Sequence, residues 1–221
     1  MEFQRPDDGS TSVATLDIET THYDPERGEV VAVGVGVHER GSPGADATYD
    51  CFYRESAADE AGTILAALDR LADYRADRLV TYKGGTFDLP FLRARLAANG
   101  ADEPWFPFEE RDHTDLFVDR KREAEERGEK WPSLEECLES YGVTPAVTEW
   151  AGRPVTNTRF GGELGPAYLR SRSSGSEGDA AHLRSVVDHY LRTDLEANLV
   201  VYYGDLGVPF EPVHDGTHGS F

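Results

Sequence analysis

The sequence predicts an α/β fold: a mixed five-stranded sheet that opens as an antiparallel meander and is flanked by helices. Three observations predict it. Three short runs with strand character follow one another at the start, with turn signals between them. The apolar period then lengthens from two to about 3.6, and helical segments alternate with two further strands. The chain then runs through its longest amphipathic stretch, residues 182–203.

Residues 1–12 form a polar leader, and residues 13–19 (V-A-T-L-D-I-E) are the first strand. Side chains alternate across a strand, so Ala14, Leu16 and Ile18 share one face and Asp17 and Glu19 the other. Pro25 and Gly28 break the chain before a second strand over 29–38, whose glycines permit another element to approach closely. After a turn at 41–45, residues 47–53 make a third strand. Ile64, Leu65, Leu68, Leu71 and Ala72 recur at helical spacing and predict a helix over 58–75. A short apolar strand over 78–82 leads to a helix from about Asp88 to Ala98, stopped by Asn99-Gly100. Residues 113–118 read as the last strand and 119–127 as a charged, solvated helix. Ser133 opens S-L-E-E, a capping box, at the head of a helix that Gly142 ends. Residues 143–162 read as irregular, 161–169 as a short helix and 170–179 as a Ser/Gly-rich loop. One domain is therefore expected over 13–204, with a flexible tail over 205–221.

Charge is the loudest bulk property. The 221 residues carry a formal net charge of −20. Lysine occurs only as Lys83, Lys121 and Lys130. Salt screens such self-repulsion, and the composition resembles that of proteins from extreme halophiles. The strong apolar periodicities exclude an acidic disordered chain. The acidic start is not a signal peptide, and no apolar stretch is long enough to span a membrane, so a cytoplasmic protein without membrane partners is expected. Cys51 and Cys137 fit no metal spacing and no disulfide framework.

Acids recur where apolar neighbours make them costly. Asp17 and Glu19 lie one strand repeat apart, roughly 7 Å at Cα, where like charges disfavour one another and a divalent cation would relieve them. Taken alone, the pair also fits an ordinary strand with a wet, acidic face. Asp88 sits at a helix start among Phe87, Leu89, Phe91 and Leu92. Asp194 interrupts the stripe of Leu183, Val186, Val187, Tyr190, Leu191, Leu195, Leu199 and Tyr202. Tyr190 lies one turn before Asp194 on the same face, whereas His189 points away and reads as a surface histidine.

Together these segments resemble the DEDD superfamily of 3′–5′ exonucleases, which share the ribonuclease H-like fold, and most nearly its YprB-like group. The resemblance rests on D-x-E at Asp17-Ile18-Glu19, on K-G-G-T-F-D at 83–88 and on Y-x-x-x-D at Tyr190 to Asp194. Segments 113–117, 133–142 and 162–169 extend it across about residues 13–203. It implies two Mg²⁺ or Mn²⁺ ions held by Asp17, Glu19, Asp88 and Asp194, phosphodiester hydrolysis at the 3′ end of single-stranded DNA or RNA, and Tyr190 orienting the attacking water. Phe87 and Phe91 are candidates to stack on bases, with core packing expected for at least one of them, and Asp115 is expected to be structural. The pattern departs from the superfamily at Lys83, where asparagine is usual; a lysine there would either contact substrate phosphate or weaken the positioning of the site. The last motif also admits a histidine reading from His189, but the unbroken apolar stripe favours the tyrosine subtype. A structure-specific endonuclease and a non-catalytic nucleic-acid-binding module are the alternatives on this fold.

Overall fold

A computed structural model describes residues 1–102 and 112–221. Its main sheet is built from β1 (Ser12–Thr20), β2 (Val30–Glu39), β3 (Thr48–Tyr53), β4 (Arg78–Thr81) and β5 (His113–Asp115). Their order is β3-β2-β1-β4-β5. β1 pairs antiparallel with β2, and β2 with β3, while β4 lies parallel to both β1 and β5. This is a ribonuclease H-like mixed sheet, and β1, carrying the D-x-E, is its central strand.

Helices cover both faces. On one, Ala14, Leu16 and Ile18 of β1 pack with α1 (Glu60–Asp73) and α2 (Asp88–Ala98) through Ile64, Leu68, Leu71, Phe91, Leu92 and Leu96. The other face does not meet water as an edge sheet would: Val13 and Thr15 are fully buried. It lies beneath α7 (Glu177–Leu206), with α3 (Leu116–Arg127) and α4 (Leu134–Ser140) alongside. Asn198 of α7 donates to Thr15 Oγ1 at 3.1 Å. Gly34, the register partner of Asp17, makes this closeness possible. A Cβ there would sit 2.7 Å from Leu195 Cδ1 and 2.8 Å from Leu191 Cγ.

Four segments differ from the sequence expectation. The last strand stops at Asp115, because the Asp115 carboxylate accepts from the Phe117 amide at 3.0 Å and caps α3 at Leu116. The Ser-rich stretch is helical: α6 (Gly165–Ser174) absorbs Ser171, Ser173 and Ser174, whose hydroxyls donate back to helix carbonyls. Within the expected irregular region, β6 (Val147–Trp150) and β7 (Arg153–Pro154) pair, and the short α5 (Asn157–Arg159) follows. The tail contributes β8 (His218–Ser220), which lies parallel to β6, so that stretch is paired.

The leader is tied down as well. Arg40 makes a two-pronged ion pair with Asp7, and the Phe3 amide donates to Tyr141 Oη at 2.8 Å. The α4 capping box forms as expected, with Ser133 and Glu136 exchanging bonds. Among the described residues, no helix is long and apolar enough to cross a membrane.

Candidate active site and metal centre

The central strand and the long helix build the site between them. Asp17 and Glu19 project from β1 toward α7, and α7 presents Asp194. One carboxylate oxygen from each of the three lies within 4.8 Å of the others. Glu19 is 6% exposed. Asp88, at the first turn of α2, stands outside this triad but within its electrostatic reach. Its Oδ2 is buried and has no hydrogen-bond partner.

Crowding and burial work together on these acids. Burial pushes all four carboxyls well above the ordinary range. Mutual repulsion adds to it: Asp88 on Asp17, Asp17 and Asp194 on Glu19, Asp115 on Asp88 and Asp17 on Asp194. Lys83 acts in the opposite sense on Asp88. An all-oxygen donor set, closely spaced and with the unpartnered oxygen of Asp88 beside it, is the environment a hard divalent cation fits. Asp17, Glu19 and Asp194 could hold such an ion.

Asp115 shapes the second motif. Its two oxygens accept from the Lys83 amide at 2.9 Å and the Gly85 amide at 3.0 Å. The turn that delivers Asp88 is thus pinned to the end of β5. Lys83 pays with a left-handed backbone, φ 72°. Asparagine is more at home in that conformation than lysine.

Tyr190, one turn before Asp194 on α7, lines a small cavity with it. Its ring stacks on Phe160 with centroids 5.7 Å apart. Its hydroxyl donates to Asn157 Oδ1 at 2.6 Å. Burial, then the Asp194 charge, pushes the phenol well above its usual value. Asn157 escaped the sequence reading. Its only local signal is Thr156, which caps α5. Glu135, in the first turn of α4, has no sequence signal beyond its place in the S-L-E-E capping box. It shares a small cavity with Tyr190 and Asp194.

Two expectations need correction. Phe91 is 2% exposed and belongs to the core beside α1, so its ring is not available to a base. Phe87 is half-buried against it, with ring centroids 5.5 Å apart. His189 is not a free surface histidine. It meets Thr148 Oγ1 at 2.7 Å and lies under Gly219 of β8, because the tail strand covers that side of α7.

The mixed sheet order, the central acidic strand and the acid-bearing helix crossing it define a ribonuclease H-like α/β protein. The chain belongs to the ribonuclease H (RNase_H) superfamily, which its sequence matches over residues 14–198. No curated protein sequence matches it. Among solved structures, it is similar to the family B DNA polymerase of the hyperthermophilic archaeon Pyrobaculum calidifontis, at 19% identity and TM-score 0.56, over 86% of this chain and 24% of the polymerase. It is also similar to E. coli exonuclease I in complex with a 5cy-dT13 oligonucleotide, at 18% identity and TM-score 0.40, over 61% of this chain and 36% of the exonuclease. The chain thus spans well under half the length of either protein. The polymerase likeness is one of fold.

Proposed function

We propose that this chain is a metal-dependent 3′–5′ exonuclease of the DEDD type, tyrosine subtype, acting on single-stranded DNA or RNA. The observation that carries the reading is the meeting of Asp17, Glu19 and Asp194 oxygens within 4.8 Å, beside the unpartnered Oδ2 of Asp88. These four carboxylates would hold two Mg²⁺ or Mn²⁺ ions. Such ions supply Lewis-acid chemistry, lowering the pKa of water and offsetting charge on the leaving 3′ oxygen.

The rest falls to the chain's own groups. A phenol held well above its ordinary pKa stays protonated at neutral pH, so Tyr190 orients water rather than removing its proton. Its proton is committed to Asn157, which leaves its oxygen lone pairs to accept from the attacking water. The Phe160 stack fixes the ring that carries this oxygen. The Asp115 clamp holds the Lys83–Gly85 backbone and so positions Asp88.

Single-stranded DNA and RNA labelled at either end, digested with Mn²⁺ beside Asp17→Ala and Tyr190→Phe proteins, test the reading. Stepwise shortening from the 3′ end, abolished by the first substitution and slowed by the second, is expected. Internal cuts would replace it with an endonuclease. Binding without turnover in any divalent metal would replace it with a non-catalytic module.

A further inference from the structure

A second concave surface lies at the head of α4, where Pro132 and Ser133 border it. It is a cavity of about 530 Å³ lined by Lys83, Phe117, Glu129, Lys130 and Trp131. Its size falls within the range of small-ligand clefts, about 300–1,000 Å³. All the lysine of the chain gathers here. Lys83 and Lys130 line the cavity, and the Lys121 ammonium sits 4.4 Å from the Trp131 ring centroid. The Lys83 ammonium lies 4.9 Å from the Phe117 ring, which meets Trp131 edge-on at 5.9 Å. Trp131 is nevertheless 48% exposed, so much of its ring remains open to a partner.

Acids are present too: Glu129 in the wall, Glu125 at 4.0 Å from Lys121 and Glu136 at 3.4 Å from Lys130. Even so, a chain of net charge −20 has placed its three lysines about the Phe117–Trp131 pair and the cavity beside it. A half-exposed aromatic side chain bordered by lysines is complementary to a nucleobase flanked by phosphates. The surface is also continuous with the site. Lys83 heads the motif that delivers Asp88, and Ser133, which borders the cavity, is followed by Leu134 and Glu135 in the wall of the cavity that Tyr190 and Asp194 line.

We propose that this cavity is a strand-binding subsite, in which a base of a single-stranded nucleic acid stacks on Trp131 while Lys83, Lys121 and Lys130 meet the adjoining phosphates. The proposal rests on the nuclease reading and extends it, because it adds a contact away from the scissile bond. Affinity should therefore rise with strand length until the strand reaches Trp131.

Two measurements on the full chain test it. The first is fluorescence anisotropy of labelled oligothymidylates of increasing length in chelator, for the wild type, Trp131→Ala and Trp131→Phe. The second is turnover by the wild type of the p-nitrophenyl ester of thymidine 5′-phosphate with Mn²⁺, a substrate too short to reach the cavity. The expected result is ester turnover together with about a tenfold loss of long-strand affinity in Trp131→Ala, largely restored in Trp131→Phe. Unchanged long-strand affinity in a folded Trp131→Ala protein, with the ester hydrolysed, overturns the subsite and leaves the nuclease reading standing. Trp131-dependent binding without ester turnover upholds the subsite and counts against the nuclease. Neither binding nor turnover overturns both.

Discussion

Tyr190 of the long helix gives its phenolic proton to the amide oxygen of Asn157 at 2.6 Å, across a separation of 33 residues in sequence. The bond fixes which way the phenol oxygen turns its lone pairs. A side chain outside every recognised motif therefore sets the donor and acceptor sense of one inside the third motif.

Tyr190→Phe keeps the stack on Phe160 and loses the hydroxyl. In steady-state digestion of a short single strand, kcat should fall by about tenfold to a hundredfold with KM little changed, because an orienting contact is lost rather than a binding one. Asn157→Ala should lower kcat in the same direction by a smaller factor. A change confined to KM in either variant would show that the phenol serves binding.

The raised carboxyls make a second prediction about stability and pH. Between the ordinary carboxylate range and the raised values, the folded chain retains protons that the unfolded chain has released. Stability attributable to these groups is full at low pH and is lost as pH rises through that window. Asp88→Asn removes one such group. In chelator it should match the wild type near pH 4 and be the more stable of the two at neutral pH, read from urea midpoints. Manganese should reverse the order, stabilising the wild type by about 2.7 kcal/mol at a hundredfold excess over Kd, and the variant less. Parallel pH curves in chelator would show that Asp88 ionises normally.

Lys83 combines an unfavourable backbone with a useful charge. Lys83→Asn should raise stability by about 0.5–1 kcal/mol, since asparagine tolerates φ 72° better. The same change should weaken single-strand binding, measured by anisotropy. A variant both less stable and equally tight would remove the link between this position and substrate.

Asp115→Ala deletes the acceptor for the amides of Lys83, Gly85 and Phe117. A loss of about 2–3 kcal/mol in urea unfolding is expected, from a lost helix cap and two stranded donors. Turnover should fall more than strand affinity, because the turn carrying Asp88 loosens while Trp131, Lys121 and Lys130 of the proposed strand subsite are untouched.

The sequence disclosed what local spacing encodes. The alternation in β1 placed Asp17 and Glu19 together, and the helical stripe showed Asp194 lodged among apolar residues. Both patterns repeat within a few residues, so chain order reveals them. What stayed hidden depends on partners far apart. Asn157 has meaning only beside Tyr190. β8 pairs with β6 across some seventy residues, and that pairing is also why His189 is covered. The serines of α6 read as a loop, yet their hydroxyls found helix carbonyls once α6 packed against β2 and α7. The left-handed turn at Lys83 is hard to read from a lysine, and the Asp115 carboxylate that holds its amide comes some thirty residues later.

The distribution of side-chain amines has a practical consequence. With lysine confined to positions 83, 121 and 130, an acylating or cross-linking reagent finds its lysine targets on one flank of the molecule only. A dye or photoreactive group introduced this way arrives beside Trp131 without any engineered cysteine. The wild-type chain can thus be tagged on the same flank where a captured strand would leave its adduct.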